Sequence, residues 1–155
     1  MSTMPSIRAA RAEDRPAIAT LLTESALPLA GLPDPLDAFV VAEDETGIVG
    51  AMGLELFAPY ALLRSAAVHP RQRGSGLGTR LAEATIALAR SRQLTALYLL
   101  TTTAAEWFPR FGFRSITRAE VPPSVRASAE FVEACPASAT VMHLLLHPQE
   151  ERTAP

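Results

Sequence analysis

The sequence predicts a single α/β domain: a mixed central sheet of about six to seven strands with helices on its faces. Three observations carry this. Strand-length apolar runs and amphipathic helical stretches follow in the order β-α-β-β-β-α-β-α-β-β. The run over 95–100 is apolar almost throughout, as in a central strand covered on both faces. Between the apolar run 60–68 and a helix starting near Leu77 lies a short basic loop rich in glycine. Such a unit makes the strands on either side of that helix parallel neighbours, joined by a right-handed crossover.

Each element has its own signal. Ser6 to Ala9 is a short strand. Residues 13–27 read as a helix in which Pro16 falls in the first turn and is tolerated there, with Ile18, Leu21, Leu22 and Ala26 at helical spacing. Residues 28–37 hold three prolines and a glycine, which preclude regular structure. This loop either borders an acceptor site or is a plain connector. Runs 38–43 and 48–57 are strands of a hairpin closed by Asp44-Glu45-Thr46-Gly47, and 60–68 continues antiparallel after Ala58-Pro59. The helix over 77–92 has Leu77, Leu81, Ala84 and Leu88 as its buried stripe, with Arg80, Glu83 and Arg90 toward water. Its basic end, Arg90 to Arg92, complements the helix dipole. After the 95–100 strand, Thr101-Thr102-Thr103 leads into a short helix over 104–111 stopped by Gly112. The last strands are 113–121 and 139–146. The insertion 122–138 between them has an amphipathic look from Val125, Phe131 and Val132. Residues 148–155 are polar and expected to fray.

Composition narrows the function classes. A hydrophobic share of 48% and a charged share of 19% are those of a soluble globular protein. A net charge of -2 leaves no basic excess, so nucleic acid is not an expected partner. The single cysteine, Cys135, excludes an internal disulfide and fits a reducing compartment. It precedes proline with no histidine placed beside it and reads as structural. His69, His143 and His147 lack ligand spacing, so no metal site is expected. The first sixteen residues lack the apolar core of a signal peptide, and no run approaches a membrane span. A cytoplasmic location is therefore the default expectation. Nothing in the sequence fixes the oligomeric state, and a homodimer is compatible with it.

The stretch Val68-His69-Pro70-Arg71-Gln72-Arg73-Gly74-Ser75-Gly76-Leu77-Gly78-Thr79 carries the chemistry. Glycines leave backbone N–H groups free to point at an anion, and a helix N-terminus adds unpaired donors and the positive end of its dipole. Arg71 and Arg73 add fixed charge with forked donors. A pyrophosphate suits such a junction. A nucleoside-triphosphate loop would need a Gly-Lys-Ser/Thr ending, and there is no lysine here. A dinucleotide loop would need Gly-x-Gly-x-x-Gly and an acid about twenty residues on, and 95–105 contains none.

The pattern [QR]-x-x-G-x-[GA] is matched in full by Arg71 to Gly76. With the element order and Phe111-Gly112-Phe113, the chain resembles the GNAT acetyltransferase superfamily over nearly its whole length. More narrowly, it is similar to the N-acetyltransferases encoded with bacterial arsenic-resistance genes. That likeness rests on Gly31-Leu32-Pro33, Ala61-Leu62-Leu63-Arg64-Ser65, Leu99-Leu100-Thr101-Thr102-Thr103, Glu130-Phe131 and Cys135-Pro136-Ala137-Ser138-Ala139. The resemblance implies acetyl-CoA lying in a V between the fourth and fifth strands. Its diphosphate would sit on Arg71, Arg73, Gly74, Ser75, Gly76, Leu77, Gly78 and Thr79, and its pantetheine arm would pair with backbone near Ala66 and Val68. It also implies direct attack by an amine in a ternary complex, and in some relatives the amine belongs to phosphinic or arsinic amino-acid antibiotics. Many members carry a tyrosine four residues before the Gly-Phe pair as acid for the leaving thiolate. Here that residue is Phe108. Tyr60 and Tyr98 are substitutes, unless each is simply a packed aromatic.

An ammonium acceptor must lose a proton before it attacks, so a base is needed. Glu55 is the first candidate because it interrupts an apolar strand, where an acid is costly unless used or paired; it could equally face solvent. Glu130 is the second, with an exposed turn as its plain alternative. Arg64 would clamp an acceptor carboxylate or phosphinate, pair with Glu55 across the strands, or do both. Ser65, Thr101, Thr102 and Thr103 offer hydroxyls at strand ends, where ligands bind in α/β sheets. The expected activity is acetyl transfer to a small amino-acid-like amine. A protein N-terminal or lysine acetyltransferase and a non-catalytic acyl-CoA sensor remain open beside it.

Overall fold

The structure, a computed structural model, describes residues 4–134 and 138–146. Seven strands form one sheet in the order β1-β2-β3-β4-β5-β7-β6. They are β1 (Ser6–Ala9), β2 (Phe39–Asp44), β3 (Gly47–Phe57), β4 (Tyr60–Val68), β5 (Ala96–Thr101), β6 (Arg114–Ile116) and β7 (Thr140–Leu145). Helices α1 (Arg15–Glu24), α2 (Leu77–Ser91) and α3 (Pro123–Arg126) flank it. The β4–β5 pair is parallel across the α2 crossover, as the sequence predicts, and every other pairing is antiparallel.

The face under α2 holds the largest core cluster, from Ala38 and Val49 through Leu81 and Ile86 to Leu99 and Phe113. The opposite face is split. Ile18, Leu21 and Leu22 of α1 cover Phe39 and Val41 of β2, while Val125 and Phe131 cover Leu62, Tyr98 and Val141 further along. The site lies where these covers leave the sheet.

Several boundaries differ from the sequence reading, each for a local reason. The first helix begins with a 3-10 turn, Ala12–Asp14, and ends at Glu24; Ala26 adopts φ 59 instead of continuing it. Arg8 fixes that entry, donating to both carboxylate oxygens of Asp14 (2.8 and 3.0 Å) and to Glu43 at 3.0 Å. The hydrogen bonds to Arg8 hold the Asp14 carboxyl below its ordinary range. The buried face of α2 is Leu77, Leu81, Ala82, Thr85, Ile86 and Ala89, with Ala84 and Leu88 at its margin. Thr85 sits there by donating its hydroxyl to Leu81 O at 2.8 Å, which the polar letter conceals. The 104–111 segment is a turn ending in a 3-10 turn, Phe108–Phe111, rather than an α-helix.

The strand expected over 113–121 stops at Ile116. Thr117 opens a 3-10 turn, Arg118–Glu120, in which Glu120 accepts from Thr117 N at 2.8 Å. In the insertion, Val125 and Phe131 are buried as expected, but Val132 is 65% exposed. The readings of Cys135, His147 and the tail from 148 lie outside the described residues. No helix among the described residues is long and apolar enough to cross a membrane.

Candidate active site

Strand pairing creates the site by stopping. The β4–β5 ladder runs through Tyr60↔Ala96, Ala61↔Leu97 and Leu62↔Tyr98, and ends there. Beyond it the strands part. A cavity of about 790 Å³ fills the gap, walled by 63–68 on one side and 99–103 on the other. A bulge in β4 falls on this wall. Gly53 pairs with Arg64 and Ala51 with Ala67, so Met52 alone faces both Ser65 and Ala66. Ser65 takes φ 63 to accommodate it, a strained value for a residue with a side chain.

At the wide end, β4 runs into the glycine loop. Gly74 and Gly76 have φ +82 and +87, and nothing lies within 4 Å of where a Cβ would stand on either. Gly76 is the N-cap of α2 with no side chain capping it, so the first-turn amides have no partner inside the helix. Arg73 lines the cavity while its Nε donates to Val68 O at 3.1 Å. Arg110 lines it too, its guanidinium 5.5 Å from the centre of the Trp107 ring. Open amides, a helix N-terminus and flanking arginines fit a diphosphate.

Of the residues singled out from sequence, Arg64, Ser65, Ala66, Val68, Arg73, Gly74, Gly76, Gly78, Thr79, Thr101, Thr102, Thr103 and Glu130 all line this cavity. Glu55, Arg71, Ser75 and Leu77 do not. Arg71 turns away to donate to Thr46 Oγ1 at 2.7 Å, and the Ser75 hydroxyl donates to Gln72 O within the loop. The Leu77 side chain is in the core, so only its backbone N–H can serve a ligand. Thr101 Oγ1 is taken up in accepting from Ala104 N at 2.9 Å. Trp107 was missed: it lines the cavity, and its ring stands 3.4 Å from where a Cβ on Gly78 would lie. Its being the only tryptophan, beside Phe108, was the available signal.

At the narrow end sits a cluster of buried charge. The Arg64 side chain is fully enclosed, and its Nη1 donates to Glu55 Oε1 at 2.9 Å. Its Nε donates to Ser65 Oγ at 3.1 Å and lies 3.6 Å from Glu130 Oε2. Its Nη2 donates to Ala30 O at 2.8 Å and to Pro28 O at 3.4 Å. Glu55 therefore pairs with Arg64, and the acid that lines the cavity is Glu130. Burial pushes the Glu130 carboxyl up to about 7, the Glu55 charge adds to this, and Arg64 opposes it. Val125 and Phe131, anchored in the core on either side, hold Glu130 in place.

Neither tyrosine reaches the cavity. Tyr98 packs edge-on against Tyr60 with ring centres 5.9 Å apart, and burial raises its hydroxyl above the ordinary range. Phe108 lines the cavity, stacked edge-on between Trp107 and Phe113 at 5.0 and 5.5 Å.

The acetyltransferase (GNAT) domain matches residues 35–115, more than half of the chain. The chain belongs to the GNAT acetyltransferases. An amino-acid acetyltransferase of Neisseria meningitidis serogroup A is 31% identical over 130 residues, covering 78% of this chain and 30% of that protein. The chain thus spans about a third of the length of that amino-acid acetyltransferase. N-acetylglutamate synthase from Neisseria gonorrhoeae, complexed with coenzyme A and N-acetyl-glutamate, superposes with a TM-score of 0.77 at 27% identity. That match covers 95% of this chain and 36% of the other. Rv2747 from Mycobacterium tuberculosis, in complex with CoA, gives 0.74 at 27% identity and covers 92% and 99%. The fold, with its parted β4 and β5, is that of the GNAT family, whose cosubstrate is acetyl-CoA.

Proposed function

We propose that this domain moves an acetyl group from acetyl-CoA to the primary amine of a small, amino-acid-like acceptor, with Glu130 as the base. The observation that carries this is a buried carboxyl on the cavity wall that titrates near neutrality. A base is most effective when its pKa lies near the working pH, and general-base help is worth roughly 10²–10⁴-fold. The relatives named above support an amino-acid acceptor. The arsenic-resistance resemblance makes a phosphinic analogue a further candidate; Arg64, Ser65 and Thr101 to Thr103, which carry part of it, line the same cavity.

In this reading the diphosphate rests on the amides of Gly74, Gly76 and the first turn of α2, with Arg73 beside it. When bound, the thioester supplies the acetyl group. The unpaired edge of β4 at Ala66 offers backbone partners to the pantetheine arm, while Val68 O is already engaged by Arg73. Glu130 takes the ammonium proton. The free nitrogen then bonds to the acetyl carbon as the carbon–sulfur bond breaks, the electron pair leaves with the thiolate, and the second nitrogen proton passes to water to leave the neutral amide. With Phe108 where many family members have tyrosine, water is left to protonate that good leaving group. Holding amine and thioester in register supplies much of the remaining acceleration.

The test is acetyl-CoA-dependent thiol release over a panel of amines including glutamate, aspartate and phosphinothricin. At least one amino acid is expected to turn over, and Glu130→Gln to lower its kcat/KM by roughly 10²–10⁴-fold at neutral pH. Binding of coenzyme A without turnover on any amine would replace this reading with an acyl-CoA sensor.

A further inference from the structure

We infer that Arg64 is a positioning residue of the acceptor site: it fixes Glu130 and the segment 28–31 against the β4 bulge and does not itself grip the acceptor. The inference builds on the reading of Glu130 as base.

The donors of Arg64 decide it. A guanidinium has five N–H groups. Nε is committed to Ser65 Oγ, one Nη1 hydrogen to Glu55, and Nη2 to the carbonyls of Ala30 and Pro28. One Nη1 hydrogen remains, whereas a two-point clamp on a carboxylate needs a parallel pair. The side chain also has no solvent exposure, although the residue lines the cavity.

What Arg64 touches is the frame of the cavity. Gly31 lies directly over it: a Cβ there would stand 3.2 Å from Arg64 Nη1 and 2.9 Å from the Cβ of Ala129, next to Glu130. The loop before β2 and the insertion before β7 thus meet on one guanidinium. Pro28 and Glu130, from those two segments, both line the cavity. The charged groups facing Glu130 are Arg64 from β4 and Glu55 from β3, with opposite effects on its proton.

The experiment measures the KM of each substrate and the pH profile of kcat/KM for the best acceptor at saturating acetyl-CoA. Wild type, Arg64→Lys, Arg64→Met, Glu55→Gln and Glu130→Gln are compared. Arg64→Lys keeps the charge but loses the fork, so the acceptor KM should rise about tenfold while the acetyl-CoA KM stays within about twofold. The acidic limb should move up by roughly one pH unit in Arg64→Met and down in Glu55→Gln, because these remove the opposing neighbours of one carboxyl. An unmoved limb in Glu55→Gln, together with both KM values of Arg64→Lys rising in parallel, would overturn the inference and leave Arg64 a structural residue only. Should Arg64→Met not fold, the other two variants decide. If Glu130→Gln keeps the wild-type rate and limb, the base assignment falls instead. The KM split in Arg64→Lys then decides alone: an acceptor-only rise upholds the positioning role, and a parallel rise overturns it.

Discussion

Glu130 holds its proton in the folded chain up to about pH 7, against an ordinary value of 4.5. Between those values the native state binds a proton that the unfolded state has released, so stability falls as pH rises through this window. The full penalty, reached above pH 7, is roughly 3 kcal/mol. Glu130→Gln mimics the protonated form. Urea titrations at pH 5 and pH 8 should therefore show the variant gaining on wild type toward the alkaline side. A stability difference independent of pH would mean that the carboxyl is not held neutral by burial. The same residue shows what a sequence conceals. Glu55 stands out in the sequence as an acid inside an apolar strand, where unpaired charge is costly. In the fold its Oε1 accepts from Arg64 Nη1 at 2.9 Å, the paired alternative for that acid. Glu130 ranks only second from sequence, with an exposed turn as its plain alternative, because its burial depends on Val125 and Phe131 docking against Leu62 and Tyr98, a tertiary event with no local signal.

Elements position these residues through exceptions to regular geometry. The bulge at Ser65 and Ala66 and the left-handed glycines of the loop break periodicity along the cavity wall. The loop was legible because alternate glycines at a helix start are costly and suggest a purpose. The bulge was not, since nothing in Leu63-Arg64-Ser65-Ala66 marks which residue takes φ 63. The end of β6 has a local signal: Thr117-Arg118-Ala119-Glu120 is a capping box, and it stops the strand. Gly31 supplies the test at this scale. At its φ of +75 a methyl group is strained, and one placed there would stand 2.9 Å from the Ala129 Cβ. Gly31→Ala should cost roughly 1–3 kcal/mol of stability by that strain. Steady-state kinetics should show a higher acceptor KM with the acetyl-CoA KM unchanged. A rise in the acetyl-CoA KM alone would detach the 28–37 loop from the acceptor end.

Over the whole molecule, one parallel pair that separates beyond Leu62 accounts for the division of labour. Its open edge and the loop beyond Val68 wall the cavity proposed to take the cosubstrate, and its apex gathers the buried charge. Element order and crossover hand were readable because connection rules leave few topologies. The depth of the gap was not, because it depends on how far each strand is covered by its neighbours. The claim on which the rest stands is that bare amides at the start of α2 hold the diphosphate. Asparagine and aspartate tolerate the left-handed backbone at Gly76 about equally and differ chiefly in charge. Calorimetric titration of coenzyme A into Gly76→Asp and Gly76→Asn, with folding checked by circular dichroism, isolates that charge. The aspartate variant should bind at least roughly a hundredfold more weakly than wild type, and the asparagine variant within about tenfold. Equal affinities for the two variants, both near wild type, would place the diphosphate elsewhere.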